Sequence, residues 1–209
     1  MGDEFFDVVP AALLEKTAHL KVIATDLARL KWLQHFLVQG YDRVLWCDAD
    51  FLVFNPAMFQ LPNLPYALGR EVWVQQKADS GALKAYKKVH NAFLMFQQGN
   101  AFLDFYADSA ERLLAETTGP MPPQFIGPKL LTAIHNVVQC PVLENAGMLS
   151  PLVIRDLVAG GGRALDLFRQ KSPERLAAAN LCTSMTAAGE LSDDEVTAVI
   201  EVLVTNRAC

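Results

Sequence analysis

Apolar side chains recur at Ile23, Leu27, Leu30, Leu33 and Leu37. This three- and four-residue spacing predicts a helix over Lys21–Val38 with one face on a core, and Gly40 supplies its stop. The pattern then changes. Residues 44–47, Val-Leu-Trp-Cys, are continuously apolar, which predicts a short strand buried on both faces, as in a parallel sheet covered by helices. Asn55-Pro56 and the proline-rich stretch 61–65 interrupt regular structure. A second strand is expected over 66–75, a polar link over 77–88 and a third strand over 90–96. A helix with an aromatic and aliphatic face follows at 101–115, then a loop at 119–123. Another helix is expected at 127–135 with Pro128 in its first turn, and a late strand within 137–143. Ser150 and Pro151 stand in the order of N-cap and first helical residue, and Gly160-Gly161-Gly162 ends that helix. The remainder reads as helical over 173–179 and again from Ser192-Asp193-Asp194-Glu195 onward. Strands mixed with helices predict an α/β fold in a single domain over 1–209.

One feature breaks the apolar pattern. Asp48 and Asp50 lie one residue apart between Val44-Leu45-Trp46-Cys47 and Phe51-Leu52-Val53-Phe54. Ionised carboxylates in such surroundings lose hydration unless a cation, a basic partner or an open strand end compensates them. At the C-terminal end of a strand, where open α/β sheets bind ligands, Asp48-Ala49-Asp50 is a candidate cation site.

Composition narrows what such a site serves. The chain is 52% hydrophobic, enough for a substantial core, and its net charge of −5 comes with no Lys/Arg run; this argues against a nucleic-acid backbone as partner. Cys47, Cys140, Cys182 and Cys209 are widely spaced, with no CxxC pair, so neither a zinc site nor a disulfide framework is expected and a reduced, cytoplasmic setting fits. No apolar run approaches the ~18 residues of a membrane span. The N-terminus has no signal-peptide pattern, and Phe6 stands where myristoylation needs Ser or Thr.

The segment 40–56, with its turn, Asp42, Arg43, apolar strand and Asp48-Ala49-Asp50, resembles the nucleotide-sugar-dependent glycosyltransferases of the GT-A fold. The similarity is to retaining members of the glycogenin-like and DxD sugar-binding-region types. His90-Asn-Ala-Phe-Leu-Met-Phe96 resembles the strand after their DxD, and Gly127-Pro-Lys-Leu-Leu-Thr132 their Gly-Pro-x-Leu-Leu-Thr element. The resemblance implies a Rossmann-like sheet flanked by helices. With only 47 residues ahead of Asp48, it also implies an N-terminally shortened version of that fold.

The resemblance further implies a metal-dependent transfer from a nucleotide sugar, UDP-linked, to a glycan, lipid or protein acceptor. Asp50 would be the principal ligand of Mn²⁺ or Mg²⁺, and Asp48 would contact the metal and the nucleotide ribose. The diphosphate leaving group gains negative charge as the glycosyl bond breaks, and a cation held by hard oxygen ligands stabilises it. Asp26 and Arg29 share a helix face, and Asp26-Leu-Ala-Arg29 resembles a donor-sugar-binding Asp-x-x-Arg; Lys31 is the rival basic residue, and for both a plain helix-surface charge remains open. A C-terminal His would complete the metal set in relatives, but none follows His135. Asn180 offers an amide oxygen instead, beside the plainer reading of a helix-surface Asn. No catalytic residue is named.

Other motifs read as structural. His19, His35 and His90 lack ligand spacing, and His135 suits a helix C-terminus. Gly160-Gly161-Gly162-Arg163 lacks phosphate-loop spacing, and neither Ser150 nor Ser184 has a nucleophile's frame. Two alternatives stay open: a haloacid dehalogenase-like phosphatase with Asp48 as nucleophile and Asp193-Asp194 as its late acidic pair, or a glycosyltransferase-like domain that binds without turnover. Against the phosphatase stand Leu52 at its fourth motif position and the helix-start pattern of Ser192–Glu195.

Overall fold

The computed structural model describes residues 2–206; Cys209 lies outside them. The fold is a mixed α/β arrangement. A single-turn 3-10 helix at Asp3–Phe6 leads to α1 (Ala11–Lys16), α2 (Lys21–Val38), β1 (Arg43–Cys47), β2 (Phe51–Val53), β3 (Tyr66–Gln76), β4 (Leu83–Gln97) and α3 (Ala101–Glu116). Then come α4 (Leu130–Val138), β5 (Val142–Leu143), β6 (Ala146–Met148), α5 (Pro151–Val158), α6 (Arg163–Lys171), β7 (Ala178–Asn180), α7 (Ser184–Ala187) and α8 (Asp193–Asn206). One sheet has the order β1-β4-β3-β5, the other β2-β7-β6. In the second, β2 runs antiparallel and β6 parallel to β7. The chain gathers into two compact units. One takes the chain up to Trp46, Asn63–Leu68 and Leu94–Pro141, and the other Cys47–Pro62, Gly69–Phe93 and the chain from Val142 on.

In the first unit α2 has the bounds its periodicity predicts, and Ile23, Leu27, Leu30, Leu33 and Leu37 are all buried. Each full burial of such a side chain contributes about 1.5–3 kcal/mol relative to exposure. Helix α3 buries Leu103, Tyr106, Ala110 and Leu114, and Asn100 caps it by accepting the Leu103 N–H at 3.0 Å. Lys31 on α2 pairs with Glu111 on α3 at 3.0 Å. Tyr66 stacks on Phe102 with ring centroids 4.3 Å apart. Burial, reinforced by a hydrogen bond with Cys140, pushes the Tyr66 phenol up to about 12.

In the second unit β3 turns straight into β4, the Lys77 N–H donating to the Ala82 carbonyl at 2.9 Å. Val72 and Val74 of β3 join Val153, Leu157, Leu165 and Phe168 in the core. Helix α8 opens on a reciprocal cap. The Glu195 N–H donates to Ser192 Oγ at 3.1 Å, and the Ser192 N–H to Glu195 Oε2 at 2.7 Å. The glycine run ends α5 and starts α6. Asp156 Oδ2 accepts the N–H groups of Ala164 and Leu165, and a Cβ on Gly162 would fall 2.2 Å from Asp156 Cγ. Glycine is needed there so the capping carboxylate can approach.

Several expectations are corrected. Strand β1 is not buried on both faces: Val44 is buried, but Leu45 is 41% exposed and Cys47 is exposed. The polar link over 77–88 shrinks to a turn because β4 starts at Leu83, where Leu83 and Ala85 pack on the core while the lysines between and after them face water. The late strand is only Val142–Leu143; Val137 and Val138 end α4 and are exposed. Helix α4 itself starts at Leu130, since Gly127 has non-helical angles and Pro128 falls in a wide turn, Phe125–Lys129. Ser150 is the N-cap of α5 by position, but its hydroxyl makes no capping bond and is buried without a partner. The expected helix over 173–179 is absent. The helix lies at Arg163–Lys171, and residues 178–180 form β7, whose small alanines fit between β2 and β6. Good helix formers yield here to packing.

Candidate metal and donor site

The acidic turn joins β1 to β2. The Asp48 N–H donates to the Ala92 carbonyl of β4 at 3.0 Å, and the Phe51 N–H closes back on the Asp48 carbonyl at 2.9 Å. This ties the triplet to the end of the strand, as its apolar flanks require. Asp50 is then held from β7 and the residues after it. Its Oδ1 accepts from Asn180 Nδ2 at 2.6 Å, and its Oδ2 accepts from the Thr183 N–H at 2.8 Å and from Thr183 Oγ1 at 3.0 Å. Pairing of Phe51 with Asn180 across β2 and β7 brings these groups together. Three directed donors thus supply much of the compensation that the apolar surroundings demand of Asp50.

Asn180 is therefore neither a helix-surface residue nor an oxygen donor aimed at a cation. It is buried in a strand, and its Oδ1 accepts the Cys182 N–H at 2.8 Å, which orients the amide nitrogen toward Asp50. Cys182 adopts a left-handed φ of 53° to make that bond. Its thiol is pushed far up by burial and then by the charges of Asp50, Glu71 and Asp48. Glu71 is itself buried, and burial raises its carboxyl despite Lys88 at 3.6 Å. Phe51 and Phe59 both pack on Phe93, giving the turn an aromatic floor.

His90 anchors the strand under the turn. Its Nδ1 accepts the Ala92 N–H at 3.1 Å, and Nε2 faces the Ala146 carbonyl at 3.2 Å, which fixes the tautomer protonated at Nε2. Gly69 leaves room for the ring. The structural reading of His90 holds.

In the first unit Asp26 and Arg29 are both buried and paired at 3.3 Å, and the guanidinium lies 5.0 Å from the Trp46 ring centroid. Tyr106 stands by them. Its hydroxyl donates to the Ile126 carbonyl at 2.8 Å, and burial followed by the Asp26 charge drives its phenol well up, with Arg29 opposing. Lys31 is turned to Glu111 instead. The structure thus joins Asp26 to Arg29 and Asp48 to Asp50 within their own units. Buried charge at Asp26 and Arg29 was not legible from their spacing, nothing in the sequence linked Thr183 or Glu71 to the acidic turn, and Asn180 was expected there as an amide-oxygen donor where the structure makes it a hydrogen-bond donor to Asp50.

Among the described residues no three or more His, Cys, Asp and Glu side chains are gathered as a metal cage. Asp193 and Asp194 form the exposed first turn of α8. Cys47, Cys140 and Cys182 are free thiols. Comparison with known proteins adds no relative: no family model matches the chain, and no curated protein or solved structure does.

Proposed function

We propose that this chain is a metal-dependent glycosyltransferase of the GT-A type, using a nucleotide-sugar donor with UDP as the expected nucleotide. The observation that carries the reading is Asp48-Ala49-Asp50 at the end of β1, with Asp50 fixed by Asn180 and Thr183. Two carboxylates in one turn suit a cation that takes further ligands from phosphate oxygens and water. Asp50 Oδ1 accepts one protein hydrogen bond and keeps a lone pair, whereas Oδ2 accepts two. Asp48 and Asp50 would hold Mn²⁺ or Mg²⁺, and the ion would supply charge stabilisation to the departing diphosphate. Asp50 is held by three hydrogen bonds, so little side-chain ordering remains to be paid on binding. Asp26 and Arg29, donor-sugar candidates by the resemblance alone, are buried in the first unit and paired with each other at 3.3 Å, the guanidinium 5.0 Å from the Trp46 ring centroid. Lys31, occupied by Glu111, is the weaker one. No helix among the described residues is long and apolar enough to cross a membrane.

Thermal-shift titration with Mn²⁺ plus UDP, GDP or UMP tests the reading, because a ligand of the native state raises its apparent stability. A metal-dependent rise with UDP, lost in Asp50→Asn, is the expected result. No nucleotide-dependent rise at saturating metal would sink the proposal. Stabilisation without hydrolysis of any sugar nucleotide would leave a binding domain rather than an enzyme.

A further inference from the structure

The β3–β4 hairpin carries a surface that the donor site does not use. Continuing the pairing set by the Lys77 N–H to Ala82 carbonyl bond back along the strands places Gln75 opposite Lys84, Trp73 opposite Tyr86, Glu71 opposite Lys88 and Gly69 opposite His90. The Glu71–Lys88 ion pair and the close approach of the His90 ring to Gly69 agree with this register. Val72, Val74, Leu83 and Ala85 point to the core. The alternate face therefore presents Trp73 and Tyr86 side by side, both half-buried, with Gln75 and Lys84 exposed beyond them. Lys84 Nζ lies 4.4 Å and Lys88 Nζ 5.7 Å from the Tyr86 ring centroid. On this face Lys84 and Lys88 stand against Glu71, which Lys88 pairs with at 3.6 Å, so Lys84 is the exposed ammonium without an acid opposite it in the register, and Lys77 and Asp79 share the hairpin tip. At the inner end of the face β4 continues from Lys88 to Ala92, whose carbonyl accepts the Asp48 N–H at 3.0 Å.

We propose that the Trp73–Tyr86 face is the acceptor subsite of the glycosyltransferase proposed above, a reading it rests on, and that it takes a carboxylate-bearing oligosaccharide. Half-buried Trp73 offers apolar ring surface to the C–H face of a sugar, and the Tyr86 ring holds the Lys84 ammonium beside it at 4.4 Å. The exposed amide of Gln75 suits hydroxyl groups, and the lysines complement carboxylates. A membrane surface fits less well, because the hairpin tip, Lys77-Ala78-Asp79-Ser80-Gly81-Ala82, has an acid and no large apolar side chain to insert.

The test is titration of the full chain, without metal or nucleotide, by tryptophan fluorescence and calorimetry. The probes are oligogalacturonate, a neutral oligosaccharide of equal length, phosphatidylserine vesicles and a single-stranded oligonucleotide. Oligogalacturonate is expected to bind, more weakly as salt rises, with the neutral oligomer bound less tightly. Lys84→Glu, an exposed change, and Tyr86→Ala should each weaken binding roughly fivefold or more, with the circular dichroism of Lys84→Glu unchanged. Equal binding of the neutral oligomer, insensitivity to Lys84→Glu, or binding only of vesicles or oligonucleotide would overturn the proposal. Because the assay contains no donor, its failure leaves the UDP and Mn²⁺ shift standing. Failure of that shift beside retained uronate binding instead removes the transferase and leaves an acidic-glycan binding face.

Discussion

Exchanging the side chains of Asp50 and Asn180 separates what holds the acidic turn from what the turn does. In Asp50→Asn the amide oxygen still satisfies the two Thr183 donors, but its NH₂ then meets the Asn180 NH₂ at a contact that is now 2.6 Å. One charge-assisted bond is lost and a part-buried donor is left facing a donor, a cost of about 2–3 kcal/mol. For a chain of this size that lowers the melting temperature by roughly 5–10 °C. Asn180→Asp sets two carboxylates in contact and costs a similar amount, about 2 kcal/mol or more, by like-charge repulsion. The double exchange restores every bond: residue 50 donates to the new carboxylate, which still accepts the Cys182 N–H seen now. Urea unfolding of the four proteins at neutral pH should give a coupling energy of at least about 1.5 kcal/mol, with the double variant near wild type. The same double variant, refolded and stable, should have lost the metal-dependent nucleotide shift, since the charge has moved. Additive single effects would refute the hydrogen-bond scheme, and a retained nucleotide shift would refute Asp50 as the cation ligand.

Three further outcomes follow from packing and charge. Gly69→Ala would set a Cβ 2.2 Å from His90 Cε1, a buried ring held at both nitrogens, so a loss of about 1–3 kcal/mol in urea unfolding is expected; an unchanged midpoint means the ring does not lie there. Glu195 is held below its ordinary value near 4.5 first by its hydrogen bond from Arg155. Its contribution is therefore present above that pH and lost as pH falls through the depressed folded value, and Glu195→Gln should flatten the acid limb of the stability curve. At high pH the signs reverse. The fold keeps Tyr66 protonated to about 12, and burial raises Tyr106 well above its ordinary value, whereas unfolded tyrosines release protons from about pH 10. Stability should then fall as pH rises past 10, and Tyr66→Phe should reduce that slope in alkaline unfolding followed by phenolate absorbance; an unaltered slope would place the phenol in water.

Legibility followed the range of the interaction. Helix α2 and its five core positions could be read because periodicity is a local property that burial of one face enforces. The box at Ser192 and Glu195 likewise spans a single turn. The polar segment 77–88 misled because alternation with lysines on the solvent side resembles a loop in composition. Residues 173–179 misled because alanine favours helices in isolation, while β7 is decided by β2 and β6 on either side.

The sequence by itself determined the α/β alternation, the position of Asp48 and Asp50 at the end of a strand, and the fact that their charges needed compensation. Desolvation of a carboxylate is a local cost and can be recognised from its neighbours in the chain. Only the tertiary structure decided what meets that cost. Asn180 and Thr183 reach Asp50 from 130 and 133 residues away in the chain, through a strand pairing that no local pattern announces. Such partners are chosen by sheet register, which depends on how distant segments bury their apolar faces together.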